Sequence, residues 1–565
     1  MTSNPYLTLL DGSVERIMGQ LDDFLSTDLD AFMRDDRPST RIGWHANNEW
    51  IYRWNAERLY ALAFAHAAPQ SRWRHSPEIR KRLGHAFRKL VDAARQDRWY
   101  HRNPEKGDPN LDRFCIVPFM EAFMLARAFL HADLAKRFVE KIQGVLDVQV
   151  AEYGRPKQPD NPYPNMDGVY CLAMALGHSL IGREEYRLEF ERFLDIMERA
   201  QFEEGAWTYI DGTNEAPQYH GLNVAAMARI HDLRDDGRAL DMLRKSIPYY
   251  PQIHTQSGLC EYFTDPWWKH TWGPPGPSGP DLIASVTGDP TNRWIGSLVR
   301  RRRNPSEISE GLTSIAGMTA TRLWKDAPEK PLPTDVVFLD RNIQGPRGRF
   351  ADWSWAATAR YGGDTVVGAV AHGPDLTDLT ALMAVTPEIP NPSSDEPDVS
   401  TRRFALGMTP PGTRGDTAIQ GSTARFQVEY RMASFRHIWK AEAFPKAWLC
   451  RQQWDMGPSA LLGAIDIESQ EDQDSPAPIV RIRWGRDGQL VRQAPGQYTY
   501  GPFRLEILDS DLEEQNIRSA KVCCFRNVEG ATELVLSTRC SQRRQRGDRF
   551  RVALRISHTE DKTGA

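Results

Sequence analysis

The chain has 565 residues, a formal net charge of −4 and a mean hydropathy of −0.55. That length supports roughly two to four domains with ample core. The mild acidity argues against a nucleic-acid partner, and no run of about 18 apolar residues offers a membrane span.

Seven cysteines (Cys115, Cys171, Cys260, Cys450, Cys523, Cys524 and Cys540) form no CxxC pair, which speaks against a disulfide framework and a structural zinc. No cofactor is called for. The start, Met1-Thr-Ser-Asn-Pro-Tyr, lacks a basic stretch followed by an apolar one. The chain as given is therefore expected in the cytoplasm, or in the periplasm or outside the cell if a leader was trimmed.

Residues 1–325 read as helices. Ser13–Ser26, Glu49–His66, Ser76–Arg98, Phe114–His131, Ala132–Glu152, Gly168–Leu180, Glu184–Phe202, Leu222–Leu233 and Gly237–Ile247 carry apolar residues at helical spacing. They fall into antiparallel pairs, which suits a toroid of helical hairpins. Lys325-Asp-Ala-Pro-Glu-Lys-Pro-Leu-Pro-Thr is a Pro-rich link. Beyond it, 326–565 reads as strands: Asp335–Leu339, Trp353–Tyr361, Thr365–Ala371, Ala424–Tyr430, Ser434–Trp439, Ala447–Trp454, Leu461–Ile467, Val480–Trp484, Phe503–Leu508, Lys521–Phe525, Thr532–Ser537 and Phe550–Ile556. Their alternation predicts an antiparallel β-sandwich. Pro387–Ser400 reads as a polar, Pro-rich loop. The fold class is thus α+β multidomain: an N-terminal (α/α) toroid, then a β-sandwich.

Two polar junctions open helices about fifty residues apart. One is Asn161-Pro-Tyr-Pro-Asn165-Met-Asp167-Gly168, and the other runs from Asp211 through Pro217, Gln218, Tyr219, His220 and Gly221 to Asn223. A phenol, an imidazole and carboxamides at successive helix starts can converge on one reacting atom. Asn165 and Asp167 also suit helix capping, and Tyr219 and His220 also suit core packing.

Asp211–Asn223 resembles a segment of the alginate lyase and heparinase II/III-like polysaccharide lyases. Asp211, Gly212, Glu215, Pro217 and Tyr219 match; Gln218 and Gly221 stand where those families have a tyrosine and an arginine. The earlier junction resembles their Asn-Asn-His-Gly. Asn165 and Gly168 match, and Asp167 replaces the histidine. The resemblance implies a toroid followed by a sandwich, with an acidic, uronate-containing polysaccharide or oligosaccharide as substrate. It also implies β-elimination, with Tyr219 as acid/base and Asn165 neutralising the uronate carboxylate.

Such an elimination needs a donor for the carboxylate, a base for the proton α to it and an acid for the leaving oxygen. A phenol ordinarily ionises near about pH 10, so a tyrosine base needs a cation or strong donor nearby. His220 is a second catalytic candidate. Asp167 would repel a uronate, which leaves it a sugar-hydroxyl ligand or an orienter of the base. Trp44, His45, Asn47 and Asn48, just before a helix, are sugar-ligand candidates. So are Trp207, Tyr209 and Asn223, and also Tyr262, Trp267 and His270 in an aromatic loop. The basic run Arg300–Arg303 fits a polyanion, a solvated face or a helix C-terminal dipole partner. A rival enzyme reading is a glycoside hydrolase using Asp167, Glu204, Asp211 or Glu215 as paired carboxylates. The remaining alternative is a non-catalytic carbohydrate-binding protein.

Overall fold

The computed structural model describes residues 4–26, 47–93, 110–153, 163–208, 217–258, 276–302, 308, 311–359, 366–372, 379–388, 413–432, 448–472, 478–484, 490–519, 532–538 and 544–558. The chain divides into two compact units, one helical and one built on sheets. The helical unit holds the described residues up to 248, apart from Pro217, together with 276–330. The sheet unit holds Pro217, 249–258 and the described residues from 331 onward. The break therefore falls at Lys330, and one short segment after Pro248 goes with the sheets although it precedes the Pro-rich link.

The helices in chain order are α1 (Pro5–Ser26), α2 (Asn47–Ala67), α3 (Pro77–Ala93), α4 (Asn110–Ala126), α5 (Ala132–Tyr153), α6 (Pro164–Ile181), α7 (Glu184–Arg199), α8 (Pro217–Arg234), α9 (Gly237–Lys245), α10 (Tyr249–Ile253), α11 (Ser278–Thr287), α12 (Pro290–Arg302) and α13 (Ile315–Leu323). Among the described residues none is long and apolar enough to cross a membrane. Several sequence readings need correction, beginning with α1, which starts at Pro5 and not at Ser13. α4 gives way at Arg127–Phe129 to a 3-10 turn, so the helix does not run to His131. α6 and α8 start at prolines, several residues before the expected starts, because proline fits the first helical position. α7 stops at Arg199, because Gln201 and Trp207 pair across a tight turn. Gly205 in that turn has φ 91°, and a Cβ there would strike the backbone of Lys245.

α2, α4, α6 and α8 run in the same direction. Arg53 lies 4.4 Å over the Phe114 ring, and His66 lies 4.8 Å from Phe129, so α2 and α4 keep one order along their lengths. On α6 and α8, Gly168 faces Asn223 near the starts, and His178 meets Arg234 at 3.1 Å near the ends. The return helix α7 is antiparallel to α6: Tyr170 packs on Phe193 at 4.5 Å, and Gly177 faces Tyr186. α6 is buried around its whole circumference from Pro164 to Gly177, which is how a helix at the centre of a unit reads.

Two buried ionic clusters fix these helices. Arg229 of α8 donates from Nε and Nη2 to Glu121 of α4 at 2.6 and 3.2 Å, and both side chains are 2 % exposed. Arg322 of α13 and Asp232 complete the cluster, and Tyr60 of α2 joins it. Elsewhere Asp281 of α11 accepts from Tyr6 (2.6 Å) and Arg293 (2.5 Å) and pairs with Arg300, tying α1, α11 and α12 together. Of the basic run, Arg300 therefore neutralises a buried aspartate. Arg301 is exposed near Glu329 at 3.7 Å, and Arg303 lies outside the described residues.

In the sheet unit the strands are β1 (Val336–Asp340), β2 (Gly345–Arg349), β3 (Trp353–Ala357), β4 (Val367–His372), β5 (Leu379–Glu388), β6 (Arg414–Gln420), β7 (Thr423–Arg431), β8 (Trp448–Met456), β9 (Ala460–Ser469), β10 (Ile479–Trp484), β11 (Val491–Ala494), β12 (Gln497–Tyr500), β13 (Phe503–Ser510), β14 (Glu513–Ser519), β15 (Thr532–Ser537) and β16 (Arg549–His558). They form two eight-stranded sheets, ordered β1-β2-β3-β4-β5-β10-β15-β14 and β11-β12-β13-β16-β9-β8-β7-β6. Every pairing is antiparallel. One apolar core draws Trp353, Trp355 and Trp484 from the first sheet and Trp448 and Trp454 from the second, so the sheets face each other as a sandwich. Pro387 and Glu388 end β5, paired with Val480 and Ile479, so these two residues belong to a strand and not to the expected loop, whose remaining residues 389–400 lie outside the described residues. The expected strands Ser434–Trp439 and Lys521–Phe525 lie outside the described residues.

The Glu121–Arg229 pair yields a stability prediction. Arg229→Met leaves a carboxylate buried with a weaker partner, so it should cost about 3–5 kcal/mol. Urea unfolding with an unchanged m-value measures this; a cost below about 1 kcal/mol would mean that the pair is not desolvated.

Candidate functional site

The candidate residues that the structure describes lie in the helical unit, at the starts of its parallel helices except for Glu204 and Trp207, which lie in the turn after α7. α6 opens at Tyr163, whose backbone is extended, followed by Pro164. Asn165 is thus in the first turn and not the capping residue. The cap is made by Asp167: its Oδ2 accepts from the Tyr163 N–H at 2.6 Å, and the residue is fully buried. A carboxylate there satisfies an otherwise orphan donor and meets the positive end of the helix. One oxygen of Asp167 thus serves the helix end, as its capping reading expects.

α8 brings Tyr219, His220 and Asn223 into its first two turns. Tyr219 is half-buried, and His220 and Asn223 are 1 % and 2 % exposed. His220 packs against Trp207 with ring centroids 5.0 Å apart, and burial pushes its imidazole down to about 3. It is neutral at ordinary pH and supplies no cation. Trp207 is 2 % exposed, and its Nε1 donates to the Met197 carbonyl at 3.0 Å. Its ring is spent on packing and presents no open face to a sugar.

α6 and α8 meet at Gly168. A Cβ there would lie 3.3 Å from Asn223 Oδ1 and 3.2 Å from Met197 Cε, so a glycine allows the Asn223 carboxamide to rest on α6. Asn165 stands one turn before Gly168 on the same helix face. Asn165 is 4 % exposed. Neither Asn165 Oδ1 nor Asn223 Oδ1 has a hydrogen-bond partner among the described residues. A buried unsatisfied acceptor costs about 1–3 kcal/mol and calls for an explanation, such as a ligand. The N-termini of α6 and α8 stand at one end, and together they favour an anion.

Asn47 and Asn48 open α2, whose start lies at that same end by the register of α2 with α4 and of α4 with α6, where Tyr170 feels Arg113. Trp44, His45, Tyr209, Tyr262, Trp267 and His270 lie outside the described residues, as do Asp211 and Glu215. Among the described residues no group of three His, Cys, Asp or Glu side chains is placed to hold a metal ion. The sequence reading missed Glu121 and Arg229. Their signal was present: each is a lone charge in an otherwise apolar helical run, Cys115–Met124 and Val224–Ile230.

Comparison with known proteins gives no matching family model and no matching curated protein. Solved structures do match. A mutant chondroitin AC lyase from Streptomyces coelicolor A3 superposes with a TM-score of 0.58 at 12 % identity, over 99 % of this chain and 80 % of its own. A mutant heparan sulfate lyase from Pedobacter heparinus gives 0.54 at 9 %, over 97 % and 84 %. Paenibacillus xanthan lyase gives 0.54 at 9 %, over 100 % of this chain and 58 % of its own. The fold is that of polysaccharide lyases. In this fold the toroid carries the polar helix starts described above.

Burial of His220 has a measurable consequence. Its folded value lies below the ordinary 6.5, so the unfolded chain takes up the proton first as pH falls. The stability it contributes is complete above about pH 6.5 and declines toward pH 3, by up to roughly 1.4 kcal/mol per pH unit. His220→Gln should flatten the pH dependence of the thermal midpoint in that window by about one proton. An unchanged slope would show that the imidazole reaches solvent.

Proposed function

We propose that this protein cleaves a uronic-acid-containing glycan by β-elimination. The observation that carries the reading is the shared direction of α6 and α8. It sets the first turns holding Asn165 and Tyr219 at one end of the helical unit, beside two helix N-termini that favour an anion. Lyases of chondroitin, heparan sulfate and xanthan share the fold, which supports the class of chemistry.

In the proposed reaction Tyr219, as phenolate, removes the proton from the carbon α to the carboxylate. The electron pair forms the new carbon–carbon double bond, and the bond to the 4-linked oxygen breaks. The phenol then protonates that oxygen. No water is consumed and no redox partner is needed. Asn165 donates to the carboxylate as it gains enediolate character, where a preorganised donor helps most. His220, neutral and packed on Trp207, holds the first turn of α8 in place and stands outside the proton transfers.

The test is turnover on a panel of uronic-acid polymers, followed by the ultraviolet absorbance of the conjugated product. Tyr219→Phe removes one oxygen and keeps the ring, so the loss in kcat should be about 10²–10⁴-fold with little change in thermal midpoint. Asn165→Ala should lose about 10²–10³-fold. Near-wild-type turnover by Tyr219→Phe ends the assignment, and product formation without ultraviolet absorbance would indicate hydrolysis.

A further inference from the structure

We propose that Asn223 is the second donor to the substrate carboxylate, acting with Asn165 from the facing helix. The inference rests on the lyase reading above and assigns the part that reading leaves open. An elimination needs its carboxylate held by more than one donor, because both oxygens gain charge in the transition state. The residue two positions after Asn165 is Asp167, an anion already bound to the Tyr163 N–H. His220 is neutral and packed against Trp207. Neither provides a cation.

Asn223 meets the remaining requirements. It is 2 % exposed and lies over α6, with its Oδ1 3.3 Å from where a Gly168 Cβ would stand. Gly168 is one turn from Asn165, so both carboxamides belong to one face of the helix start. Each has an oxygen that no described group satisfies. The terminal torsion of an asparagine is broad and roughly two-fold. Each amide can therefore turn over without breaking a bond to that oxygen and present N–H groups to an anion. The two helix N-termini add to the same field. The result is a carboxylate grip made of neutral amides, with no titrating group in it.

Three variants on one active uronate polymer test this. Asn223→Ala should lower kcat by about 10²–10³-fold, the loss seen when an oxyanion donor is removed, with the thermal midpoint unchanged or raised because an unsatisfied buried oxygen has gone. Asn223→Asp keeps the size and adds a negative charge, so it should lose at least as much. Gly168→Ala leaves both carboxamides but crowds Asn223, so it should fall between Asn223→Ala and wild type. Wild-type turnover by Asn223→Ala overturns the proposal while leaving the lyase reading intact. A large drop in midpoint, with turnover restored on cooling, also overturns it, by making Asn223 structural. If the wild-type protein forms no unsaturated product from any uronate polymer, the lyase reading fails and the proposal fails with it.

Discussion

The helical unit is organised around a carboxylate and a guanidinium with almost no access to water. Glu121 and Arg229 are each 2 % exposed and joined by two hydrogen bonds. Once desolvated, neither charge can lose the other without a large penalty. That requirement fixes α8 against α4 at one point along their lengths, and Arg322 and Asp232 bring α13 to the same place. Burial first, and the Glu121 charge second, push the Tyr60 phenol up, so it stays neutral and ties α2 to the same cluster. Apolar contacts alone could slide by a turn, whereas these groups cannot.

The consequence appears at the other end of the helices. With α2, α4, α6 and α8 aligned, their starts collect orphan backbone donors and the positive ends of four dipoles. The sequence places Asn165 and Asp167 there, on a helix that is buried all around from Pro164 to Gly177. Asp167 takes up one part of that field by capping its own helix. Among the described residues, what remains there is the neutral carboxamides of Asn165 and Asn223 beside the helix starts.

The large divisions of the fold were legible because they depend on period. Apolar spacing marked the long helices, and alternation marked strands such as β15, whose expected and observed limits coincide at Thr532–Ser537. Elements were missed where composition hides period. β2 is Gly-Pro-Arg-Gly-Arg, yet all five residues are buried, with Arg347 paired to Asp340 and Gly348 leaving room for the Trp355 ring. β6 is an edge strand exposed along most of its length, so no inward face exists to alternate. In the site, Asn165, Tyr219 and Asn223 stood out as polar residues at helix starts. The use of Asp167 as a cap and the burial of His220 depend on backbone geometry and on packing against Trp207, which no local pattern encodes.

The sheet unit applies the same physical device on another scaffold. Arg481 and Glu533, on neighbouring strands β10 and β15, form a pair 2.9 Å apart and almost wholly buried. Arg347 and Asp340 do the same for β2 and β1 at 2.7 Å. A one-residue slip of either strand would send one member to the opposite face and leave a bare charge in the protein interior. Both units thus hold register with desolvated ion pairs and leave the bulk of stabilisation to apolar packing. In the helical unit that register has a chemical consequence, since it decides which side chains meet at the helix starts.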